Sequence, residues 1–268
     1  MSPSQLRRQW GSSSSLMDLL ESMPGGLVVA VRDFALLTLA GQLTTTFPGQ
    51  LVFKGGFVLR HAHGVYRVSK DVDATRHAPA KHKLDSDEVA RAIRDASIHD
   101  VVRFQPKPPT TDSARSLDFD QVEVLGTEFP DSSVQVEVSY REELVDEPEL
   151  ANIGAPFYEP FEILTMTKEE MAAEKLRAIA QRLRPTDLAD LSWLLTATQA
   201  SDDHIAEITV EKFELVKTGR ENKLMRIESR LAEMADTYDI EVPSLFPEAP
   251  SYREAMAIVA PRLKRLVP

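Results

Sequence analysis

The feature that most limits what this chain can fold into is a change of sequence pattern near residue 165. Before that point, short apolar runs alternate with polar residues and with glycine or proline turns, as in 132–142, where Val134, Val136 and Val138 alternate with polar neighbours. Such alternation predicts strands. From Thr167 onward the pattern becomes helical. The sequence therefore predicts an α/β half with a mixed sheet, followed by a mostly helical C-terminal half.

The predicted boundaries follow from this change. An α/β domain is expected over 1–165, with an N-terminal helix over Val28–Thr45 and a frayed start at 1–24, and a helical domain over 166–268. The segment 147–160 is expected to be a loop. Strands are predicted at 51–53, 66–75, 100–105, 119–126 and 132–142, and the other helices at 57–62, 86–96, 167–184, 187–199, 202–217, 220–238 and 251–266.

Composition excludes several classes of protein. The chain has 268 residues and no cysteine, so disulfides, thiolate metal sites and cysteine nucleophiles are absent. The most apolar stretch, 25–41, is interrupted by Arg32 and Asp33 and is too short to span a bilayer. Nor does the N-terminus carry the continuous apolar run of a signal peptide. We expect a cytoplasmic protein with no membrane partner.

The charge distribution is uneven. The net charge of −11 argues against a protein that coats nucleic acid, yet the window 60–94 holds eight Lys or Arg against five acids. A locally cationic surface on an acidic protein suits a phosphate-bearing ligand that is bound and then released. A solvated, charged loop and helix would explain the same charges equally well.

Two aspartates, Asp71 and Asp73, lie two residues apart in the predicted strand 66–75. In a strand they share one face, where they repel each other unless a cation lies between them. Glu137 lies on the polar face of strand 132–142 and joins them if the two strands are neighbours. Three such carboxylates suit Mg²⁺, and a pair of these ions can clamp a phosphoryl transfer.

A glycine pair, Gly55 and Gly56, follows the predicted strand 51–53. Glycines let backbone N–H groups approach a polyphosphate closely. Ser69 is placed to donate a hydrogen bond to a phosphate, and Arg67 or Lys70 to offset its charge. Taken singly, the glycines are explained by a turn, the aspartates by a surface strand and Glu137 by a solvated edge. The occurrence of the glycine pair, the D-x-D strand and the strand-borne glutamate in this order is improbable by chance.

This ordered set resembles the nucleotidyltransferase superfamily, whose signature is a Gly-Gly or Gly-Ser pair, a D-x-D strand and a third carboxylate on a strand. Three segments narrow the resemblance to the AbiEii/AbiGii toxin family, which includes the MenT toxins. They are FKGGFVLRHAHGVYRVSKDVDAT, VQVEVSYRE and MAAEKLRAIAQRLRPTDLADLSWLL. The family typically shows K-G-G-T-x-L, R-x-S-x-D-[IV]-D, a strand followed by R-E, E-K-x-x-A-x-x-x-R and R-D-x-x-D-L. The likeness spans roughly residues 51–195.

The resemblance assigns roles position by position. It implies that Asp71 and Asp73 are metal ligands, with Glu137 in the place of the third carboxylate. Gly55, Gly56 and Ser69, with Arg67 nearby, would then hold the nucleotide phosphates. Lys175 matches the lysine of E-K and is expected to contact the nucleotide, while Asp187 and Asp190 match the aspartates of R-D-x-x-D.

The chain departs from the family pattern at two positions. Phe57 stands where the family often has Thr or Ser, and Thr186 stands where it has Arg, so Arg182 or Arg184 is a candidate substitute. Local explanations also remain open here. Asp187 follows Pro185 and is a candidate helix cap, and Lys175 lies beside an apolar stripe, where it can snorkel or pair with Glu170 or Glu174.

The resemblance implies a toxin of a toxin–antitoxin system that moves NMP from an NTP to an acceptor hydroxyl. The implied cofactor is Mg²⁺, or Mn²⁺ in its place, and the helical half would close the nucleotide cleft. The implied acceptor is RNA, the tRNA 3′ end in particular, so that translation is blocked. The implied partner is a cognate antitoxin, either a DNA-binding regulator or a kinase-like inhibitor. Two alternatives stay open: a protein or small-molecule acceptor, and a non-catalytic nucleotide-binding switch.

Overall fold

The structure is a computed structural model. It describes residues 13–23, 25–77, 83–98, 102–126, 132–141, 143–214 and 223–267. The chain forms two compact units, one of residues 1–143 and 149–165 and the other of residues 144–148 and 166–268.

The first unit is built on a mixed sheet with the strand order β3-β5-β6-β2-β1-β8-β7, in which β4 pairs with β5. Its strands are β1 (Leu51–Lys54), β2 (Asp71–Arg76), β3 (Arg103–Pro106), β4 (Thr111–Asp112), β5 (Ser116–Leu125), β6 (Ser132–Ser139), β7 (Glu149–Ala155) and β8 (Tyr158–Thr165). Its helices are α1 (Ser13–Glu21), α2 (Leu27–Thr46), α3 (Gly55–His61) and α4 (Ser86–Asp95). The strand β2 is antiparallel to β1 and parallel to β6.

The helix α2 forms the core of this unit and packs against β2, β6 and β8. Within the described residues it is the one helix long and apolar enough to cross a membrane by length and composition, and 67% of the window that passes this test is buried inside the protein. A helix that is apolar nearly all round requires such burial. Its charged residue Asp33 is paired with Arg60 of α3.

Several predicted elements of this unit are confirmed. The N-terminal helix predicted at Val28–Thr45 is α2, and the predicted pairing of 119–125 with 132–142 is the antiparallel pair β5–β6. The strand predicted at 66–75 begins only at Asp71, and the helix predicted at 86–96 is capped by Asp85, whose side chain accepts hydrogen bonds from the backbone N–H groups of Asp87 and Glu88.

Two predictions for this unit are wrong. The segment 147–160, expected as a loop because of its prolines and glycine, belongs largely to the antiparallel pair β7–β8. The pairing of β8 with β1 supplies the stabilisation that local propensity lacks, as often happens in sheets. Residues 13–21, expected to be frayed, form α1, because Leu16 and Leu20 are fully buried. The predicted stretch 1–12 lies outside the described residues.

The second unit is helical, as the sequence predicts. Its α-helices are α5 (Lys168–Gln181), α6 (Pro185–Ala197), α7 (Asp202–Glu214), α8 (Lys223–Glu233), α9 (Tyr238–Leu245), α10 (Tyr252–Val259) and α11 (Leu263–Leu266). The helix α5 begins at a Thr167 cap and packs against α6, α7 and α8. The predicted helix residues 215–217 and 220–222 lie outside the described residues.

A buried ion pair ties the segment 144–148 to this helical unit. Glu170 and Lys212 are both almost wholly inaccessible and form an ion pair. The Glu170 carboxylate also accepts hydrogen bonds from the backbone N–H groups of Val145 (3.1 Å) and Asp146 (3.2 Å). A buried charge needs this kind of satisfaction, because an unpaired one would cost several kcal/mol. The sequence left open a pair of Glu170 with Lys175, but the partners of the Glu170 carboxylate described here are Lys212 and the backbone N–H groups of Val145 and Asp146.

Candidate active site

The aspartate pair lies on β2, which is flanked by β1 and β6 near the middle of the sheet. Asp71 and Asp73 are half-buried on one face, whereas Val72 between them is fully buried on the other. The hydroxyl of the buried Ser69 donates a hydrogen bond to Asp71 Oδ1 at 2.9 Å. The predicted sharing of a face by the two aspartates is therefore observed, and Ser69 orients the first of them.

The glycine pair is packed against this aspartate strand. Gly55 has φ of +70°, and a methyl group placed on it would lie 2.8 Å from Asp73 Oδ2. A methyl group on Gly56 would overlap the Arg67 guanidinium and lie 3.0 Å from Ser69 Oγ. The structure thus gathers Gly55, Gly56, Arg67, Ser69 and Asp73 around one stretch of backbone. Glycine is favoured at position 55 by its positive φ, and at both positions by the side chains that lie where a methyl group would be.

A row of charged residues crosses the sheet in direct register at this point. Asp73 pairs with Lys54 of β1 on one side and with Glu137 of β6 on the other. Glu137 in turn pairs with Asp118 of β5, whose Oδ2 accepts a hydrogen bond from Ser116 Oγ at 3.0 Å. Residues paired in register share one face. Sequence reasoning gave neither Lys54 nor Asp118 a role. Lys54 is the lysine of the K-G-G motif, but the sequence alone does not show which residue of another strand it opposes.

The donor set around Asp71 and Asp73 fits a divalent cation in part. Carboxylate oxygens are the ligands that Mg²⁺ prefers, and two of them project from alternate positions of one strand. Glu137 is exposed beside Asp73, but among the described residues no three His, Cys, Asp or Glu side chains are gathered closely enough to hold a metal ion. The two aspartates suit the cation, and Glu137 as its third ligand stays a prediction.

The helical unit holds a second ionic cluster. The ammonium of the buried Lys175 lies 2.8 Å from Asp187 Oδ1 and 2.7 Å from Asp190 Oδ2. Arg182 donates to both carboxylate oxygens of Asp187, from Nε at 2.8 Å and from Nη2 at 3.1 Å. Of the two candidate substitutes for the arginine missing at Thr186, the structure therefore brings Arg182 to Asp187.

Asp187 is an ion-pair partner in this cluster. The helix α6 begins at Pro185, with Arg184 in the cap position and no side-chain capping bond, so the capping alternative for Asp187 is not observed. Burial by itself raises the pKa of Asp187, but the Lys175 ammonium and the Arg182 guanidinium outweigh it and hold the pKa well below its usual range. Whether Lys175 contacts a nucleotide stays a prediction.

Several cations of the window 60–94 are used inside the first unit. Arg60 pairs with Asp33 and lies over the Tyr66 ring, 5.2 Å from its centroid, and Lys83 pairs with Asp112. Burial, helped by the charge of Arg60, lowers the pKa of His61 to about 3, so this histidine is neutral at pH 7. Lys81 and His82 lie outside the described residues. Lys70, Arg91 and Arg94 are exposed.

Replacing Gly55 by alanine tests the contact between the glycine turn and Asp73. Alanine at φ of +70° costs about 1–2 kcal/mol of stability. Its methyl group would lie 2.8 Å from Asp73 Oδ2 and therefore also displaces the Asp73 carboxylate. We expect about a tenfold or greater loss of nucleotidyl transfer, since a misplacement of 1 Å at a reacting group costs up to about 100-fold. Thermal melting and initial rates on the same preparation measure both effects.

Gly64→Ala is the matched control, because Gly64 has φ of +69° and no atom lies within 4 Å of the position that an added methyl group would take. We expect the same loss of stability from Gly64→Ala with transfer activity retained. Equal activity losses in the two variants would mean that the backbone conformation, and not the contact with Asp73, explains the effect.

The fold and this arrangement together define a class. A mixed sheet with a glycine pair, here at the start of α3, packed against a D-x-D strand is the architecture of the nucleotidyltransferases. The chain matches the family model described as "Nucleotidyl transferase AbiEii toxin, Type IV TA system" over residues 39–261. It therefore belongs to the AbiEii family of nucleotidyltransferase toxins, which the sequence resemblance predicts.

Solved structures agree on the fold. MenT4, a nucleotidyltransferase toxin from Mycobacterium tuberculosis H37Rv, superposes with a TM-score of 0.61 at 20% identity, over 96% of this chain and 99% of that one. A putative nucleotidyltransferase from H. pylori gives 0.60 at 15% identity, over 89% and 96% of the two chains. JHP933 from Helicobacter pylori gives 0.52 at 16% identity, over 88% and 91%. No curated protein sequence matches the chain.

Proposed function

We propose that this protein is a Mg²⁺-dependent toxin that transfers NMP from an NTP to an RNA acceptor, the tRNA 3′ end in particular, and so blocks translation. The observation that carries the proposal is the packing of Asp73 against Gly55, with Arg67 and Ser69 against Gly56. It unites in one place the backbone that can approach a polyphosphate and the carboxylates that suit a divalent cation. Membership of the AbiEii family supports the same chemistry.

The residues of the candidate site each have a proposed part in the reaction. The backbone at Gly55 and Gly56 binds the phosphates, and Arg67 offsets their charge. Asp71, oriented by Ser69, and Asp73 hold the metal, whose charge neutralises the triphosphate when it is bound. Lys175 is proposed to contact the triphosphate, as its match to the E-K lysine of the family implies.

The proposed reaction is a displacement at the α-phosphorus. The acceptor hydroxyl oxygen forms the new P–O bond, the bond to the β-phosphate bridge breaks, and pyrophosphate leaves. The hydroxyl proton passes to a carboxylate, for which Glu137 is our candidate, since it pairs in register with Asp73 and is exposed. The acceptor thus requires only a free hydroxyl next to the α-phosphate, which the 3′ end of an RNA provides.

The remaining parts of the proposal concern location and partners. Type IV membership implies a cognate antitoxin, and we propose a cytoplasmic toxin inhibited either by a DNA-binding regulator or by a kinase-like partner. The acidic net charge of −11 favours a small RNA footprint. Exposed cations such as Arg91 and Arg94 are candidates for its phosphate contacts.

A label-transfer assay tests the proposed function. The purified protein is incubated with Mg²⁺, each α-labelled NTP in turn and total tRNA, beside the variant Asp71→Ala/Asp73→Ala. We expect label on RNA with the wild type and none with the variant, and the NTP that labels best gives the base preference. Chelating the divalent cation with EDTA is expected to abolish the labelling as well.

The same assay contains the outcomes that contradict the proposal. Label on a protein band, with RNA unlabelled, would indicate a protein acceptor in place of tRNA. No label anywhere, together with measurable NTP binding, would indicate the non-catalytic switch. Equal labelling by the wild type and the double variant would remove the two aspartates from the mechanism.

A further inference from the structure

Lys54 occupies a position next to the candidate site to which the sequence assigned no role. It is the last residue of β1, is half-buried, and pairs directly with Asp73 in the antiparallel register of β1 and β2. Directly opposed residues have Cβ atoms about 4.5–5.5 Å apart on one face of the sheet. The side chain of Lys54 therefore starts from the same face as the Asp73 carboxylate and directly beside it.

Asp73 has negative neighbours in two other directions. Asp71 shares its face two residues earlier on β2, and Glu137 opposes it on β6. Like charges at such positions repel each other and destabilise the sheet. The Asp73 carboxylate also lies next to Gly55, because Oδ2 is only 2.8 Å from where a methyl group on Gly55 would be. This proximity leaves Asp73 less room to move away from its negative neighbours.

We propose that Lys54 is a positioning residue for the metal-binding aspartates. Its ammonium offsets the repulsion among Asp71, Asp73 and Glu137 while no divalent cation is bound, and it competes with that cation once the cation arrives. The metal part of this inference rests on the proposed function, whereas the coupling between Lys54 and Asp73 does not. Without Lys54, one cation fewer offsets the three carboxylates of the metal-free site. A divalent cation is then attracted to the site more strongly.

The variant Lys54→Met tests both consequences in the full-length protein without nucleotide. In EDTA we expect its melting temperature to lie about 2–4 °C below that of the wild type. In a Mg²⁺ titration followed by melting temperature, we expect half of the stabilisation at a concentration about 3- to 10-fold lower than for the wild type. Saturating Mg²⁺ should close most of the gap between the two proteins. Lys54→Arg, which keeps the charge, should behave as the wild type.

Two further variants separate this role from a general effect of charge. Lys70→Met removes the same charge from an exposed side chain next to Asp71 in sequence, and we expect it to change neither value appreciably. In an Asp73→Asn background, Lys54→Met should lower the melting temperature in EDTA only slightly, because the loss of the Asp73 charge has already reduced the repulsion that Lys54 offsets. Such non-additivity is what a double-mutant cycle detects for residues in contact.

Three results would overturn the inference. They are an unchanged melting temperature of Lys54→Met in EDTA, a weaker response of this variant to Mg²⁺, and the same behaviour in Lys70→Met. If the wild type itself does not respond to Mg²⁺ or Mn²⁺, the metal part of the proposed function fails. The coupling of Lys54 to Asp73 in EDTA then decides the positioning role by itself, its presence supporting the role and its absence overturning it.

Discussion

Asp73→Asn is expected to reduce nucleotidyl transfer by about 1,000-fold or more while the fold stays intact. The side chain keeps its shape but loses the charge that the metal requires, and a loss of about 4 kcal/mol of transition-state stabilisation corresponds to that factor. The melting temperature should hold or rise in EDTA, because one of the mutually repelling carboxylates facing Glu137 has been neutralised. Initial rates of label transfer and thermal melting check the two expectations.

Asp120→Asn provides the control for this prediction. Asp120 is an exposed aspartate of β5 that lies in the irregular part of its pairing with β6, between Phe119 and Val122. We expect wild-type transfer from it. A sharp fall in the melting temperature of Asp73→Asn would point to a structural role for Asp73, and retained transfer would remove this residue from the metal site.

Asp187→Ala is expected to lower the free energy of unfolding at pH 7 by about 3–5 kcal/mol. Asp187 is 1% exposed, and its carboxylate lies between the Lys175 ammonium at 2.8 Å and the Arg182 guanidinium. Its removal leaves the buried Lys175 facing Asp190 with one carboxylate fewer. Urea unfolding followed by circular dichroism gives the difference, and Asp203→Ala is the matched control, since Asp203 pairs with Arg265 in a largely exposed setting.

The stabilisation by Asp187 should also depend on pH with a definite sign. Its pKa in the folded protein is held below the ordinary value of 3.8, so the unfolded chain binds more protons in acid. The difference between the wild type and Asp187→Ala should therefore be constant from pH 7 to about pH 5 and shrink as the pH falls below about 4. A small and pH-independent difference would contradict an ionised, paired Asp187.

Local sequence patterns predicted much of the fold. The alternation of Val134, Val136 and Val138 marks β6, because burial on one face of a strand leaves a period of two. The apolar stretch around 28–45 marks α2, because a helix buried on nearly all faces leaves an almost continuous apolar run. The β7–β8 pair has no such pattern. Its segment contains prolines and a glycine, and its strand conformation depends on the pairing of β8 with β1.

The candidate site divides in the same way. The glycine pair and the D-x-D strand are short-range motifs, and the sequence could place Asp71 and Asp73 on one face by itself. Arg182 shows the limit of such motifs. The expected arginine is missing at Thr186, and only the geometry of the turn between α5 and α6 shows that Arg182 reaches Asp187.

The sequence by itself determined the change from a mixed sheet to helices in the C-terminal half, the family and the aspartate pair, because each of these depends on motifs or patterns within a few tens of consecutive residues. Only the tertiary structure decided the register that sets Lys54 and Glu137 on either side of Asp73, with Asp118 beyond. A shift of one residue would turn every side chain of a strand to the other face. Burial of one face of a strand specifies its register, and β2 and β6 are buried against α2, which joins residues far apart in the chain.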